Sequence, residues 1–187
     1  MQKQPIRALL LAAGFGTRLR PLTLKIPKCL VEINRKPILE YWLNKLEDIE
    51  TERILINTHY LAHKVNKFLN DNYLQNSKIQ KYHESKLLGT AGTLIANYKF
   101  FKNSTGLMIH SDNFTNMKLI DLIEAHKNRP KNCLITMLTF KTDNPKSCGV
   151  VELDSKGIVQ AFHEKVEEPP SDIANGAIYA FENNFLE

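Results

Sequence analysis

Gly14 and Gly16 close a short apolar run, and Arg18 and Arg20 arrive just before Pro21. A strand that ends in a glycine-rich turn presents backbone N–H groups to an anion. Glycine also lets the backbone approach a phosphate closely. An arginine fork then suits the phosphate oxygens bidentately. Two familiar phosphate loops do not fit these residues. The dinucleotide fingerprint needs a third glycine where this chain has Leu19, and the P-loop needs a Gly-Lys-Ser/Thr that never follows. Further along, Asp112 comes just after the apolar stretch "GLMIH" (106–110). A carboxylate at the C-terminal end of a strand sits on the rim where α/β folds bind ligands. The six histidines form no ligand-like cluster, with His126 read as helix surface or edge and His110 as a strand end near Asp112.

The elements that must position these groups are legible as runs. Strand-length apolar stretches occur at 6–13, 53–57, 106–110, 133–140, 149–153, 158–164 and 177–181. Continuous apolar runs read as strands covered on both faces, as in a mostly parallel sheet. Between the early ones lie helical faces: Ile38, Leu39, Trp42, Leu43 and Leu46 behind Pro37; Leu61, Val65, Phe68 and Leu69; and Leu119, Leu122, Ile123 and His126. Alternating strands and helices imply right-handed crossovers and an α/β fold, a Rossmann-like three-layer sandwich with a mixed, mostly parallel sheet. After about residue 133 hairpins dominate, with "DSKG" (154–157) as one turn. Asn183 or Asn184 could cap a further helix, so the single domain read over 1–187 is expected to be C-terminally truncated.

The bulk properties exclude several classes. The chain has 187 residues, 43% hydrophobic and 24% charged, an ordinary globular balance with a net charge of +5. A mild lysine excess suits an anionic partner without naming one. No dense basic block with interleaved aromatics points to nucleic acid. The three cysteines, Cys29, Cys133 and Cys148, are odd in number and form no C-x-x-C, which fits reduced thiols in a cytoplasmic protein. The run "ALLLAA" behind Lys3 and Arg7 is short for a signal peptide, and no run reaches the length of a membrane span. Homo-oligomerisation stays open.

One loop pattern does accommodate the glycines: G-x-G-T-R-L-x-P-L-T followed by Pro-Lys. The chain carries Gly14, Gly16, Thr17, Arg18, Leu19, Pro21, Leu22, Thr23 and then Pro27-Lys28. With "LLGTAGTL" (87–94), "SDN" (111–113), "CGVVELDSKGIVQAFHEK" (148–165) and "NGAIYAF" (175–181), in that order, it resembles the sugar-phosphate nucleotidylyltransferases. Among these it is most similar to the mannose-1-phosphate guanylyltransferases. The resemblance implies attack by a sugar 1-phosphate on the α-phosphate of a nucleoside triphosphate, with release of pyrophosphate. GTP and a mannose- or manno-heptose-type sugar are the favoured pair. UTP, dTTP or CTP with another sugar 1-phosphate or phosphocholine is the alternative. A non-catalytic nucleotide-sugar-binding regulatory domain is the reading from another class.

The same resemblance implies the roles. Arg18 would hold the triphosphate, Lys28 would sit over the reacting phosphates, and Lys165 would bind the sugar's phosphate. Asp112 would be a ligand of Mg2+, with the second metal-ligating aspartate beyond residue 187. Leu11, Ala12, Ala13, Gly14, Gly16, Thr17, Gly89 and Thr90 would complete the nucleotide site. Gly149, Glu164, Asn175 and Tyr179 match the positions that bind the sugar. Two departures leave the loops around them open: Val166 replaces the usual proline after Lys165, and "NGAIY" replaces the commoner "NAGIY". Glu84 stands five residues before Gly89, where relatives using uridine or thymidine nucleotides often carry glutamine. An ionised carboxylate only accepts hydrogen bonds, and guanine offers two adjacent donors. Glu84 is therefore expected to read a guanine base.

Overall fold

The structure, a computed structural model, describes residues 4–186. Lys3, one of the charges ahead of the first apolar run, and Glu187 lie outside the described residues. The chain divides into two compact units, residues 4–136 with 180–186 and residues 137–179.

The first unit is built on parallel strands. β1 (Ile6–Leu11) lies between β4 (Arg53–Thr58) and β6 (Thr105–His110), and β5 (Ile79–His83) pairs with the far side of β4. Ala8, Leu9 and Leu10 are consecutive and all fully buried. Successive strand residues point to opposite faces, so both faces of β1 are covered. The cover comes from helices: α1 (Ile38–Asp48), α2 (Ala62–Tyr73), α3 (Gly89–Ala96) and α4 (Leu119–Lys127). A small ribbon, β2 (Glu32–Ile33) with β3 (Lys36–Pro37), precedes α1. α1 buries Ile38, Leu39, Trp42, Leu43 and Leu46, the face its spacing announces, at roughly 1.5–3 kcal/mol for each large side chain. α2 buries only Val65 and Leu69 of its expected stripe.

The second unit holds the hairpin part. β7 (Ile135–Lys141) leads into it, β8 (Gly149–Leu153) pairs antiparallel with β9 (Val159–Glu164), and β8 also pairs antiparallel with β10 (Ile173–Glu182). The Asp154–Gly157 connection turns through Gly157 at φ +77°. β10 runs back into the first unit at Ala180.

Four sequence expectations change. β5 is absent from the apolar runs because "IQKYH" mixes polar and apolar residues; among the described residues it pairs with β4 alone, and it is only partly buried. α3 carries no apolar stripe, since its "GTAGTLIA" is mostly small residues. Asn183 opens a 3-10 turn, Asn183–Leu186. His126 is 1% exposed rather than at the surface of α4. Its Nδ1 faces Thr136 Oγ1 at 2.8 Å, while Arg129 pairs with Glu182 at 2.9 Å beside it. Burial first, then the Arg129 charge, pushes this imidazole below its ordinary range.

Gly106 sits in β6 directly against the Phe181 ring, which in turn packs on Phe101 with centroids 4.9 Å apart. A methyl group at Gly106 would lie inside the ring's van der Waals envelope. Gly106→Ala should therefore lower stability by about 1–3 kcal/mol, read as a lower urea midpoint at unchanged slope. A midpoint equal to that of the unsubstituted chain would mean the ring moves aside freely.

Candidate nucleotide and phosphate site

The C-terminal ends of β1 and β6 open onto a cleft of about 260 Å³. Leu11, Ala12, Ala13, Gly14, Gly16, Thr17, Arg18, Lys28, Gly89, Thr90 and Asp112 line it. These are the residues that the sequence assigns to the first unit's site, with one exception, Glu84. Gly16 adopts φ +62°, a left-handed backbone that ordinary residues rarely take. A Cβ there would also meet Thr23 Cγ2 at 3.0 Å and Lys28 Cβ at 3.3 Å. Thr23, fully buried, closes the loop by donating from Oγ1 to the Gly16 carbonyl at 2.7 Å. The loop then presents Arg18 exposed on a 3-10 turn, Thr17–Leu19.

Asp112 is positioned by bonds on both sides. The backbone N–H and hydroxyl of Ser111 both donate to the Leu11 carbonyl, at 3.1 and 2.6 Å, which ties the end of β6 to the end of β1. Trp42 Nε1 on α1 donates to the Asn113 carbonyl at 2.9 Å. The Asp112 carboxylate accepts from Lys28 Nζ, with both side chains about a quarter exposed. Residue types alone did not single out five further lining residues: Cys29, Asn57, Leu87, Thr93 and Ser111. His110, read from the sequence as a strand end near Asp112, also lines the cleft and reaches Thr90 Oγ1 at 3.4 Å. Burial, with Lys28 adding to it and Asp112 opposing, holds His110 below its ordinary range, so it is neutral at pH 7. Burial pushes the Cys29 thiol up to about 12, helped by Asp112, so it stays an unreactive thiol.

Glu84 is outside the lining and 2% exposed. Its Oε1 accepts from Asn57 Nδ2 at 2.8 Å and from the Thr93 hydroxyl, and its Oε2 accepts from Leu88 N–H at 3.0 Å. Burial raises the carboxyl's pKa. The bonds from Leu88, Thr93 and Asn57 and the nearby His59 more than offset this, leaving it below its ordinary value. It is a carboxylate whose acceptors are turned into the protein, and the expected reach toward a guanine base is not seen.

The second unit gathers Gly149, Glu164, Lys165, Asn175 and Tyr179. Gly149 lies opposite Glu164 in the β8–β9 pairing, and a Cβ on it would stand 2.7 Å from Glu164 Oε2. Lys165 takes φ +51°, and its Nζ pairs with Glu164 Oε1 at 2.9 Å. Asn175 Nδ2 donates to the Tyr179 hydroxyl at 2.6 Å. Burial raises the Tyr179 pKa, and the Glu164 charge adds to this against the Asn175 bond. A carboxylate, an ammonium group, an amide and a phenol thus share one neighbourhood, a set suited to hydroxyls and an anion. Among the described residues no group of three or more His, Cys, Asp or Glu could hold a metal ion unaided. No described helix is long and apolar enough to cross a membrane.

The nucleotidyl transferase family profile matches residues 7–187. The chain belongs to the nucleotidyl transferase family. It is 35% identical, over 97% of its length, to the mannose-1-phosphate guanylyltransferase catalytic subunit beta of Drosophila pseudoobscura pseudoobscura, covering 49% of that protein. It is 30% identical, over 97% of its length, to the UTP–glucose-1-phosphate uridylyltransferase of a Synechocystis strain, covering 50% of it. The chain thus spans about half the length of these relatives. Its fold matches HddC from Yersinia pseudotuberculosis complexed with GMP-PN, with a TM-score of 0.79 and 25% identity, over 97% of this chain and 78% of that one.

As a nucleotidyl transferase, the chain departs from the commoner Asn-Ala-Gly order at 175–177, and the structure shows what this costs. Ala177 takes φ +53°, where a Cβ crowds the following carbonyl. Its N–H is held by Asn175 Oδ1 at 2.8 Å. Ala177→Gly should raise stability by about 0.5–1 kcal/mol, the left-handed strain relieved less the extra chain entropy of glycine. Thermal unfolding checks it, and an unchanged or lower midpoint would mean residue 177 is not strained.

Proposed function

We propose that this nucleotidyl transferase joins a nucleoside triphosphate, with GTP favoured, to a sugar 1-phosphate of mannose or manno-heptose type. The products are an NDP-sugar and pyrophosphate. The observation that carries the reading is a cleft at the ends of parallel strands lined by Gly14, Gly16, Arg18, Lys28 and Asp112. The guanylyltransferase relative favours GTP, and the uridylyltransferase relative favours a second reading, UTP with glucose 1-phosphate. A cytoplasmic setting suits the three unpaired cysteines.

The chemistry asks for positioning more than for proton transfer. The nucleophile is a phosphate monoester with a second pKa of ~6, largely ionised at neutral pH. One of its oxygens bonds to the α-phosphorus as the bond to the β-phosphate's bridging oxygen breaks. That electron pair leaves with pyrophosphate. No general base is needed, so the cations must bring two polyanions together and neutralise the leaving group. Arg18 would grip the triphosphate and Lys28 the reacting phosphates. Lys165 would bind the sugar's phosphate, with Glu164, Asn175 and Tyr179 serving its hydroxyls and Gly149, which has no side chain, letting Glu164 lie against the strand. Asp112 fits Mg2+, because a single hard carboxylate suits an ion that takes its other ligands from phosphate and water. Once bound, the ion would draw charge from the phosphate oxygens. Lys28 and Asp112, paired to each other, would each exchange that partner for a substrate-borne one, so neither is left bare.

Pyrophosphate release with magnesium tests the reading, with GTP, UTP, dTTP, CTP and ATP crossed against mannose-, glucose- and heptose-1-phosphates. Turnover is expected with GTP and a manno-configured sugar, and Lys28→Met should lower kcat/KM by about 100-fold or more. Turnover confined to UTP and glucose 1-phosphate would select the second reading. Nucleotide binding with no turnover anywhere would replace both with a binding role.

A further inference from the structure

Glu84 is a buried carboxylate that forms no ion pair among the described residues, yet every neighbour within reach donates to it. Its donors come from two separate walls of the cleft. Leu88 N–H immediately precedes Gly89, where α3 begins, and Thr93 lies one turn on. Asn57 is the β4 residue level with Leu11 of β1. The other end of its amide, Oδ1, accepts from the Ala12 N–H at 2.7 Å, at the root of the glycine loop. A carboxylate can only accept, so Asn57 must turn its NH2 toward Glu84 and its oxygen toward Ala12. The backbone of Glu84 is fixed too: its N–H donates to the Thr58 carbonyl at 2.8 Å, and its carbonyl faces His59 Nδ1 at 2.8 Å.

We infer that Glu84 is a positioning residue which, through Asn57 and Leu88, holds the glycine loop and the start of α3 at the spacing a nucleoside triphosphate requires, and that it takes no part in choosing the base. This builds on the nucleotide-binding reading above and adds to it the group that sets the cleft's width. Base choice then falls to other groups, and glutamine is no substitute at position 84. A glutamine amide would turn one donor either onto Leu88 N–H or onto Asn57 Nδ2. A buried donor facing a donor is costly.

The donor pattern can be inverted as a unit. In the double variant Glu84→Gln/Asn57→Asp, the new aspartate still accepts from Ala12 N–H and now also accepts from the glutamine NH2. The glutamine oxygen still accepts from Leu88 N–H, and Thr93 can donate to the Gly89 carbonyl, already 2.9 Å away. Calorimetric titration of GTP, UTP, dTTP and CTP into the original chain, both single variants and the double is the test, run well below each variant's Tm. Glu84→Gln should weaken every triphosphate by about 10-fold, with the ratios among them unchanged. The double variant should recover most of that loss. A base reader would instead shift the GTP to UTP ratio, and a merely structural residue would lower Tm with affinity intact. Either result overturns the inference, as does a double variant that binds no better than Glu84→Gln.

Amide hydrogen exchange on nucleotide-free protein separates this from the function itself. Exchange at 12–14 and 88–89 should quicken in Glu84→Gln and slow again in the double variant. An original chain that binds no triphosphate would sink the functional reading, and the exchange cycle would still decide whether Glu84 braces the two walls.

Discussion

The Ala12 N–H, held by Asn57 Oδ1 at 2.7 Å, marks the point where β1 stops pairing and the glycine loop departs. A parallel sheet brings all its C-terminal strand ends to one edge, and there each strand leaves backbone groups with no ladder partner. Those groups are buried and must be satisfied by something. Asn57 takes the Ala12 donor, and Ser111 fills the Leu11 acceptor twice. The buried polar residues Asn57, Thr58, Glu84, Thr93 and Ser111 therefore concentrate where the cleft opens. The same bonds that satisfy the strand ends suspend Gly14 and Gly16 on one side of β1 and Asp112 on the other. Binding groups and structural bonds are thus two halves of one arrangement.

What was legible in the chain follows from how local each signal is. The α1 face from Ile38 to Leu46 depends only on spacing within the helix, and the structure buries it as spaced. The strands at 53–58, 105–110 and 149–153 have enough apolar residues in a row to announce burial on both faces. Among the described residues β5 has one neighbouring strand, so its composition carries no such demand. Gly14, Gly16 and Arg18, which line the cleft, were legible as a candidate phosphate loop because they are contiguous, whereas Lys28, Gly89 and Thr90 were named only through the ordered motifs of the resemblance. Asn57 and Ser111 were not, since a single asparagine or serine says nothing about the strand end it will complete.

Glu84 marks a different limit. Its type correctly says that it accepts hydrogen bonds, and that it is ionised. The direction it faces is a property of β5, α3 and β4 together, and no short stretch contains all three. The 175–177 region is similar. "NGAIY" differs from the commoner pattern by an exchange of neighbours, which composition cannot detect. The backbone detects it, because residue 177 carries the left-handed angle and residue 176 does not. At Gly176 a Cβ would meet the Leu138 carbonyl at 3.0 Å, so an alanine there would need Leu138 to yield slightly. The chain carries its side chain at 177 rather than against Leu138 at 176, with a left-handed backbone there in return.

Charge decides the last point. Of the ionisable groups lining the cleft, Cys29 and His110 are held neutral at pH 7 by burial, so Arg18 and Lys28 stand against Asp112 alone. That leaves one surplus positive charge. The net +5 of the whole chain adds little, because charges more than a Debye length of about 8 Å from the phosphates are screened. A triphosphate carries more negative charge than one surplus cation can balance, and a partly enclosed cleft penalises whatever is left over. On the proposed reading the deficit has to be met by charge that arrives with the substrate. Asp112, a hard oxygen donor at the rim and the only carboxylate among the described residues that line the cleft, is the residue that can receive it. On the same reading Asp112 weakens anion binding by itself and would gain its use when a divalent ion comes with the phosphates.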